Sequence, residues 1–395
     1  MNRLEDKAMT TESDLAMSTL LQPPNPSGAV HTDVNSRRPF DQPLTCILGL
    51  PFDAISLQSA VEQVREAAFS GRRCFLSTPN LNFAIAAQTD ADFRTSVLRS
   101  DLILVDGMPL VWIGRLLRQR VPARVSGADL FEALQSHSGP PISVFLFGGR
   151  PGAAALACEN INRRGGGIAC VGFDAAGYGS IDSMSSEDRI ARVNESGAHF
   201  IVVALGAKRG QAWIEFNARR LTAPVLSHLG AVVDFAAGSI SRAPRMIQSL
   251  GFEWLWRIKE EPGLWSRYWK DGRTALGLIL SRVIPDAIAT RALPRRMDAP
   301  RLSVAEQPHS TTLSLGGGWN DNAVLLRTAL DGIVVRPRLL VINLSEVSHA
   351  NGAFVAVLLL ARGRFGGTGT FRIVGANKAV GRSLRLKLAE HLLDS

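Results

Sequence analysis

The sequence is short of the residues that several familiar chemistries need. Four cysteines, Cys46, Cys74, Cys158 and Cys170, are scattered through 395 residues with no CxxC spacing and few histidines nearby. That pattern argues against zinc, reads the cysteines as ordinary core residues, and suits a reducing compartment. The seven histidines sit singly. Neither a Gly-x-Ser-x-Gly elbow nor a Gly-x-x-x-x-Gly-Lys-Ser/Thr loop occurs, so hydrolase and kinase readings have little support. No window offers about 18 uninterrupted apolar residues, so no helix is expected to span a bilayer. The N-terminus carries Glu5 and Asp6 and has no long apolar core before Pro23, which excludes a secretory signal. No internal repeat is visible. These absences describe a cytoplasmic protein that can still lie on a membrane surface.

What is present is a globular composition, 46% apolar and 20% charged, in a chain long enough for two domains. The net charge of +9 is unevenly spread: Arg242 to Arg301 holds twelve Lys or Arg against six Asp or Glu. A basic surplus concentrated in one segment implies an anionic partner, whether phosphate, nucleic acid or an acidic membrane.

Residues 1–43 are rich in Ser, Thr, Asn and Pro without periodicity and read as a disordered arm. Over 44–240, short apolar runs (CILGL, RCFLST, LILVD, ISVFLFGG, IACVGF, FIVVALG, APVLSHLG) alternate with amphipathic helical segments. Alternation of that kind predicts an α/β fold, a Rossmann-like, mostly parallel sheet flanked by helices on both faces. Residues 241–292 form a helical appendage in which Trp254, Trp256, Trp265 and Trp269, four of the seven tryptophans, interleave with Arg245, Arg257, Lys259 and Arg267. Such a mixture suits a membrane interface or a phosphate-binding lid, and equally a Trp-rich helix packed on the core. Thr274 to Ala292 is apolar but broken by Arg282, Pro285 and Asp286, so it reads as an interfacial or packing helix. Residues 293–300 read as a linker, and 301–395 as a second, small α/β domain.

Four turns follow strands and converge on one end of a parallel sheet: Thr78-Pro-Asn80, Asp106-Gly107, Gly148-Gly-Arg-Pro-Gly152 and Gly206-Ala-Lys-Arg-Gly210. That end is the ligand crevice of open α/β sheets. Asp106 ends a run of four aliphatic residues there, as a candidate functional carboxylate or as the cap of the next helix. Gly148 and Gly149 open a strand-to-helix turn whose free N–H groups can cradle phosphate, although tight helix-on-strand packing also asks for glycine. Lys208 and Arg209 add positive charge to the same rim. Asp90-Ala-Asp92 has the form of a metal-holding D-x-D but stands where an acidic first helical turn is expected. Without a metal, a departing diphosphate must be neutralised by cations such as those between Arg242 and Arg273.

An ordered series of longer stretches carries a resemblance: STPNLNFA (Ser77 to Ala84), LILVDGMPLVW, RVSGADLF (Arg124 to Phe131), VFLFGGRPG, IVVALGAKRGQAWI, HLGAVVDFAAGSISRAP (His228 to Pro244) and GFEWLWRIKEEPGLWSRY (Gly251 to Tyr268). From about Ile47 to Tyr268 the chain resembles the WecG/TagA/CpsF family of bacterial glycosyltransferases. The resemblance implies inverting, metal-independent transfer of a sugar from a UDP-sugar to a polyprenyl-diphosphate-linked saccharide, at the cytoplasmic face of the inner membrane, in exopolysaccharide or cell-surface polysaccharide synthesis, with no cofactor. It makes Asp106 the base, sets Thr78 and Asn80 against substrate hydroxyls, and puts Arg124 in the same pocket. Arg257 and Arg267, with Arg242 and Arg273 behind them, would neutralise the diphosphate under a closing, membrane-bound appendage. One departure is visible: where family members usually carry Pro-Lys-Gln-Glu, this chain reads Lys208-Arg209-Gly210-Gln211, which bears on donor recognition. The C-terminal domain is similar to a STAS domain, with Asn351-Gly352 at the turn that usually carries Asp-Ser, and would bind a protein or a small ligand. The alternative is a non-catalytic scaffold acting through that domain. Nucleic-acid binding is disfavoured because Glu253, Glu260 and Glu261 interrupt the basic tract.

Overall fold

The computed structural model describes residues 42–393, apart from 178, 245, 248–250, 293–297, 320–322, 334–338 and 367–369. Almost all of the expected N-terminal arm, and most of the expected linker, lie outside the described residues.

The first sheet has six strands, all parallel: β3 (Cys74–Ser77), β4 (Leu102–Ile103), β5 (Ile142–Gly148), β6 (Ile168–Asp174), β7 (Phe200–Ala204) and β8 (Val225–His228), in the order β4-β3-β8-β7-β5-β6. Its strands are apolar on both faces. In β5, Val144 and Leu146 enter the core beneath one face, while Phe145 and Phe147 enter the core beneath the other. The first core packs α1 (Leu57–Ser70), α5 (Gly127–Gln135), α6 (Ala153–Arg164) and α9 (Gly230–Ala237). The opposite face takes α7 (Glu187–Glu195) and α8 (Ala207–Asn217), whose Ile190 and Trp213 are buried, with α2 (Leu81–Thr89), α3 (Ala91–Leu98) and α4 (Met108–Leu116). Each such aliphatic or aromatic side chain contributes about 1.5–3 kcal/mol when fully buried, so a sheet covered on both sides is strongly held. Parallel strands also put every strand-to-helix turn at one edge.

Ahead of this sheet, β1 (Leu44–Ile47) and β2 (Leu50–Asp53) form an antiparallel hairpin. Beyond β8 the chain runs through α10 (Glu253–Glu260), α11 (Trp265–Leu278), a π turn (Ile279–Val283) and α12 (Ile284–Arg291). The π turn keeps one stripe in phase. Each step of four residues in an ideal helix drifts about 40°, and the wider turn resets that drift, so Ile284 and Ile288 can share the face of Leu276 and Leu280.

The second sheet has the order β12-β11-β10-β9, from β9 (Arg301–Glu306), β10 (Ser310–Trp319), β11 (Leu339–Ala350) and β12 (Phe371–Val374). Only β9 pairs antiparallel. Its helices are α13 (Val324–Gly332), α14 (Gly352–Phe365) and α15 (Lys378–Leu386). β10 runs on through Gly316, Gly317 and Gly318 because bulges absorb the irregularity. Helix α14 is buried nearly all round and lies on the β1-β2 hairpin and α3. The fit is close enough that a Cβ at Gly363 would collide with the Leu98 carbonyl. Just past α15, Lys387 Nζ donates to Asp286 Oδ1 of α12 at 2.6 Å, both side chains almost fully buried.

The cysteines depart from the sequence reading: Cys158 on α6 and Cys170 on β6 are joined in a disulfide, while Cys46 and Cys74 are buried and free. The pairing follows from α6 packing back on β6, which spacing alone does not reveal.

Removing one member of the buried Lys387–Asp286 pair leaves the other charged and dry, at a cost of about 3–5 kcal/mol, whereas removing both is far milder. Thermal denaturation should therefore show Lys387→Met much less stable than Lys387→Met/Asp286→Leu; equal losses would mean the pair is not the relevant contact.

Candidate active site

The site assembles where β3, β4, β5, β7 and β8 end. The Leu104 N–H donates to Ser77 O (2.9 Å) and the Asp106 N–H to Pro79 O (3.0 Å), so the segment after β4 is pinned along the Thr78-Pro79-Asn80 turn. Gly107, at φ +111°, is the N-cap of α4 and makes no side-chain cap. The capping alternative for Asp106 therefore fails. Asn80 does cap, its Oδ1 accepting from the Phe83 N–H at 3.2 Å, which leaves its amide NH₂ to donate. Thr78 is buried.

The segment bearing Arg124 is laid beside Asp106 by the Val125 N–H, which donates to Val105 O at 2.9 Å. Gly127 opens α5 at the same place. Its N–H donates to the Asp106 carboxylate, and a Cβ there would collide with Leu229 and lie 3.3 Å from Thr78 Oγ1. The sequence stretch RVSGADLF contains Gly127, but only the close approach of two elements marks it as part of the site.

Burial pushes the Asp106 carboxyl up to about 7, against Arg124 and the Gly127 N–H and with the help of Glu253 and Asp129. Around it lies a charge network centred on Asp129. Arg124 donates to Asp129 Oδ2 (2.7 Å) and to Glu253 of α10; Arg242 donates to Asp129 Oδ1 and to Glu132 Oε2 (2.6 Å); Ser126 Oγ donates to Asp129 Oδ2 (2.6 Å). The cations and hydroxyl hold Asp129 below the ordinary carboxylate range although burial opposes them.

A second cluster forms over the β5-α6 turn. Gly148 and Gly149 both take positive φ, and the Gly149 N–H is spent on Ala204 O at 2.8 Å, so packing accounts for much of this glycine pair. A Cβ at Gly148 would lie 2.7 Å from Leu205 Cδ2. Arg150 pairs with Glu261 and stands 4.0 Å from Asp234, while Arg257 pairs with Glu261 at 2.9 Å. Burial raises the Asp234 carboxyl. Sequence reasoning missed Arg150 and Asp234, since nothing local links them to each other or to Glu261, just past α10.

The remaining expected residues are dispersed. Lys208 ion-pairs with Asp90 at 2.7 Å, and both line a groove between α3 and α8 with Arg209, Arg99 and Phe216. Asp90 caps α3 by accepting from the Phe93 N–H at 2.9 Å, as an acidic first turn should. Gln211 is buried and its Nε2 donates to Ser77 Oγ at 2.7 Å, steadying the end of β3. Arg267 lies over the Tyr268 ring, and both it and Arg273 are exposed on α11.

The C-terminal edge of a parallel sheet, with a recessed carboxylate and arginines beside it, is where open α/β enzymes bind their ligands. The model of the glycosyl transferase WecG/TagA/CpsF family matches residues 45–287, well over half of the chain. The protein belongs to that family and is a glycosyltransferase.

A carboxyl raised by burial makes the folded state bind its proton more tightly than the unfolded chain does. Stability is therefore lost as pH rises from the unfolded value toward 7. Asp106→Asn should melt above the parent at pH 8, with the gap closing toward pH 4; a variant that melts below the parent at pH 8 would contradict the assigned environment.

Proposed function

We propose that the enzyme transfers a sugar, with inversion and without a metal, from a UDP-sugar to a polyprenyl-diphosphate-linked saccharide at the inner face of the cytoplasmic membrane. The observation that carries this reading is Asp106: a carboxyl free of capping duty, titrating near 7, at the mouth of the crevice. A sugar hydroxyl is a poor nucleophile until a base takes its proton, and a base is most effective when its pKa lies near the working pH. In the step proposed, the acceptor oxygen attacks the anomeric carbon from the side opposite the diphosphate. The O–C bond forms as the C–O(phosphate) bond breaks, the hydroxyl proton passes to the Asp106 carboxylate, and UDP leaves with the bonding pair. On this reading Thr78 and the Asn80 amide, whose NH₂ is left by the cap to donate, hold substrate hydroxyls. Arginines of the Arg124–Arg242 and Arg150–Arg257 clusters supply the positive charge that the leaving diphosphate needs.

Support for a membrane-bound acceptor comes from α11 and α12. No described helix is long and apolar enough to cross a membrane. Yet Trp265, Trp269, Leu276, Leu280, Ile284 and Ile288 are all exposed, from 37% to 61%. At their spacing they form one apolar stripe, and exposed Arg267, Lys270 and Arg273 accompany it. A monomeric soluble surface rarely shows such a ridge, whereas a helix lying in an anionic interface requires it. For the second sheet, the order β9-β10-α13-β11-α14-β12-α15 supports the STAS-like reading, as a docking or regulatory module for a protein or a small ligand.

The purified protein, given a panel of UDP-sugars, a polyprenyl-diphosphate saccharide and EDTA, should release UDP only with acceptor present. Asp106→Asn should lower kcat by about 10²- to 10⁴-fold. The acid limb of kcat/KM should lie near pH 7 and move upward in Arg124→Gln, because losing a cation disfavours the carboxylate. Absence of turnover across a broad panel by protein that still binds vesicles would instead favour a scaffold. In a separate assay, Trp265→Ser/Trp269→Ser should weaken binding to anionic vesicles by about tenfold or more, and unchanged binding would remove α11 from the interface.

A further inference from the structure

Helix α4 is the first element after the Asp106-Gly107 turn, and its two sides are unlike. Leu110, Val111, Ile113 and Leu117 enter a core that also takes Val283 and Ala287 of the appendage. That leaves Trp112 and Leu116, one turn apart, on the outer side at 44% and 38% exposure, with Arg115 exposed between them. Arg118 and Arg120 follow, both exposed, and no Asp or Glu occurs between Gly107 and Ala128.

The appendage borders this outer side at both ends. At the start of α4, Gly251, just ahead of α10, packs so closely that a Cβ there would stand 2.7 Å from Met108 Cβ and 2.9 Å from Trp112 Cζ2. At its end, Arg291 donates to Leu116 O at 3.4 Å. Ile288 and Arg291 share one side of α12, so the apolar stripe of α11 and α12 runs on to Leu116. Arg118 adds an independent observation. It lies in the left-handed region at φ +56°, where the Gln119 N–H closes on Gly114 O at 2.9 Å, a helix end that favours glycine. Among the described residues no carboxylate pairs with it, so no ion pair inside the fold accounts for an arginine there.

We propose that the outer side of α4, with Arg115, Arg118 and Arg120, is a second membrane contact outside the appendage, and that its partner is an anionic lipid surface. The inference rests on the membrane reading of α11 and α12 and extends that surface to the sheet domain. Trp and Leu flanked by arginines, with no acid among them, match an interface that carries negative charge. A second copy of the chain fits less well, because a two-fold pairing of this face sets its arginines against their own copies. The consequence for the site is geometric. A surface touching both Trp112 and Leu116 runs along the α4 axis, so the Asp106 turn at its start is held within about 10–12 Å, one helix diameter, of the lipid.

Co-flotation of the full chain with vesicles of phosphatidylcholine, with and without phosphatidylglycerol, tests this. Trp112→Ser/Leu116→Ser should weaken binding to the anionic vesicles about tenfold or more. Arg118→Gly should weaken it about fivefold, and only where phosphatidylglycerol is present. Because glycine suits the left-handed backbone, that variant should melt no lower than the parent, which separates lost binding from lost folding. Unchanged binding by both folded variants overturns the proposal; if Trp265→Ser/Trp269→Ser still lowers binding in the same assay, the membrane reading of the appendage survives. A dimer in sedimentation that Trp112→Ser/Leu116→Ser dissociates, with vesicle binding unaltered, also overturns it and gives the face to a second copy. Absence of vesicle binding by the parent overturns both readings.

Discussion

Keeping a carboxylate away from water costs free energy unless positive charge stands beside it, and much of this site is arranged around that constraint. Asp106 has partial compensation only. Arg124 and one backbone N–H favour its ionised form, but Arg124 is shared with Asp129 and Glu253, whose own charges push the other way. The balance raises the carboxyl to about 7, where, under the proposed mechanism, it can accept a proton and later give it up. Stronger pairing would make a permanently ionised, weakly basic aspartate. A site with no arginine would hold the proton too firmly.

Holding that balance requires that backbone, rather than side chain, fix Asp106. The hydrogen bond from its N–H to Pro79, the ladder bond from Val125 to Val105 and the glycine cap at Gly107 all do so without using the carboxyl. Buried Gln211, tied to Ser77, supports the neighbouring strand end in the same way. The cost falls on local freedom. A Cβ at Gly127 would force the Leu229 side chain to shift where α5 meets it beside Thr78, and Gly107 needs a positive φ that other residues adopt only with strain.

The parallel sheet and the convergence of its turns were legible in the sequence because both are local: apolar runs of strand length, and Gly or Pro directly after them. Asp106 stood out for the same reason. The pairs that define the site were not legible, since Arg124 meets Glu253, Arg150 meets Glu261, and Arg242 meets Asp129 and Glu132 across more than a hundred residues each. Lys208 illustrates the converse. Its place in a strand-end turn suggested the crevice, yet its charge is taken by Asp90 in the groove between α3 and α8. The disulfide and the seating of α14 on the β1-β2 hairpin likewise depend on tertiary contact, with no local signal.

The basic surplus of the appendage, read as one quantity, conceals two different uses of charge. Arg242 and Arg257 are neutralised internally by Asp129, Glu132 and Glu261, so they contribute little to any long-range field. The arginines and lysine on α11 stand exposed beside the tryptophans, where their attraction is spread over a surface and screened within about 8 Å at physiological salt. A segment-wide count adds these together, although the first set can act only on a ligand already in the crevice and the second only on a surface the helix already approaches. On the proposed reading the labour is divided: apolar area and exposed charge on α11 bring the enzyme to a membrane, while the arginines of the crevice keep their charge satisfied by neighbouring carboxylates until an anionic substrate enters.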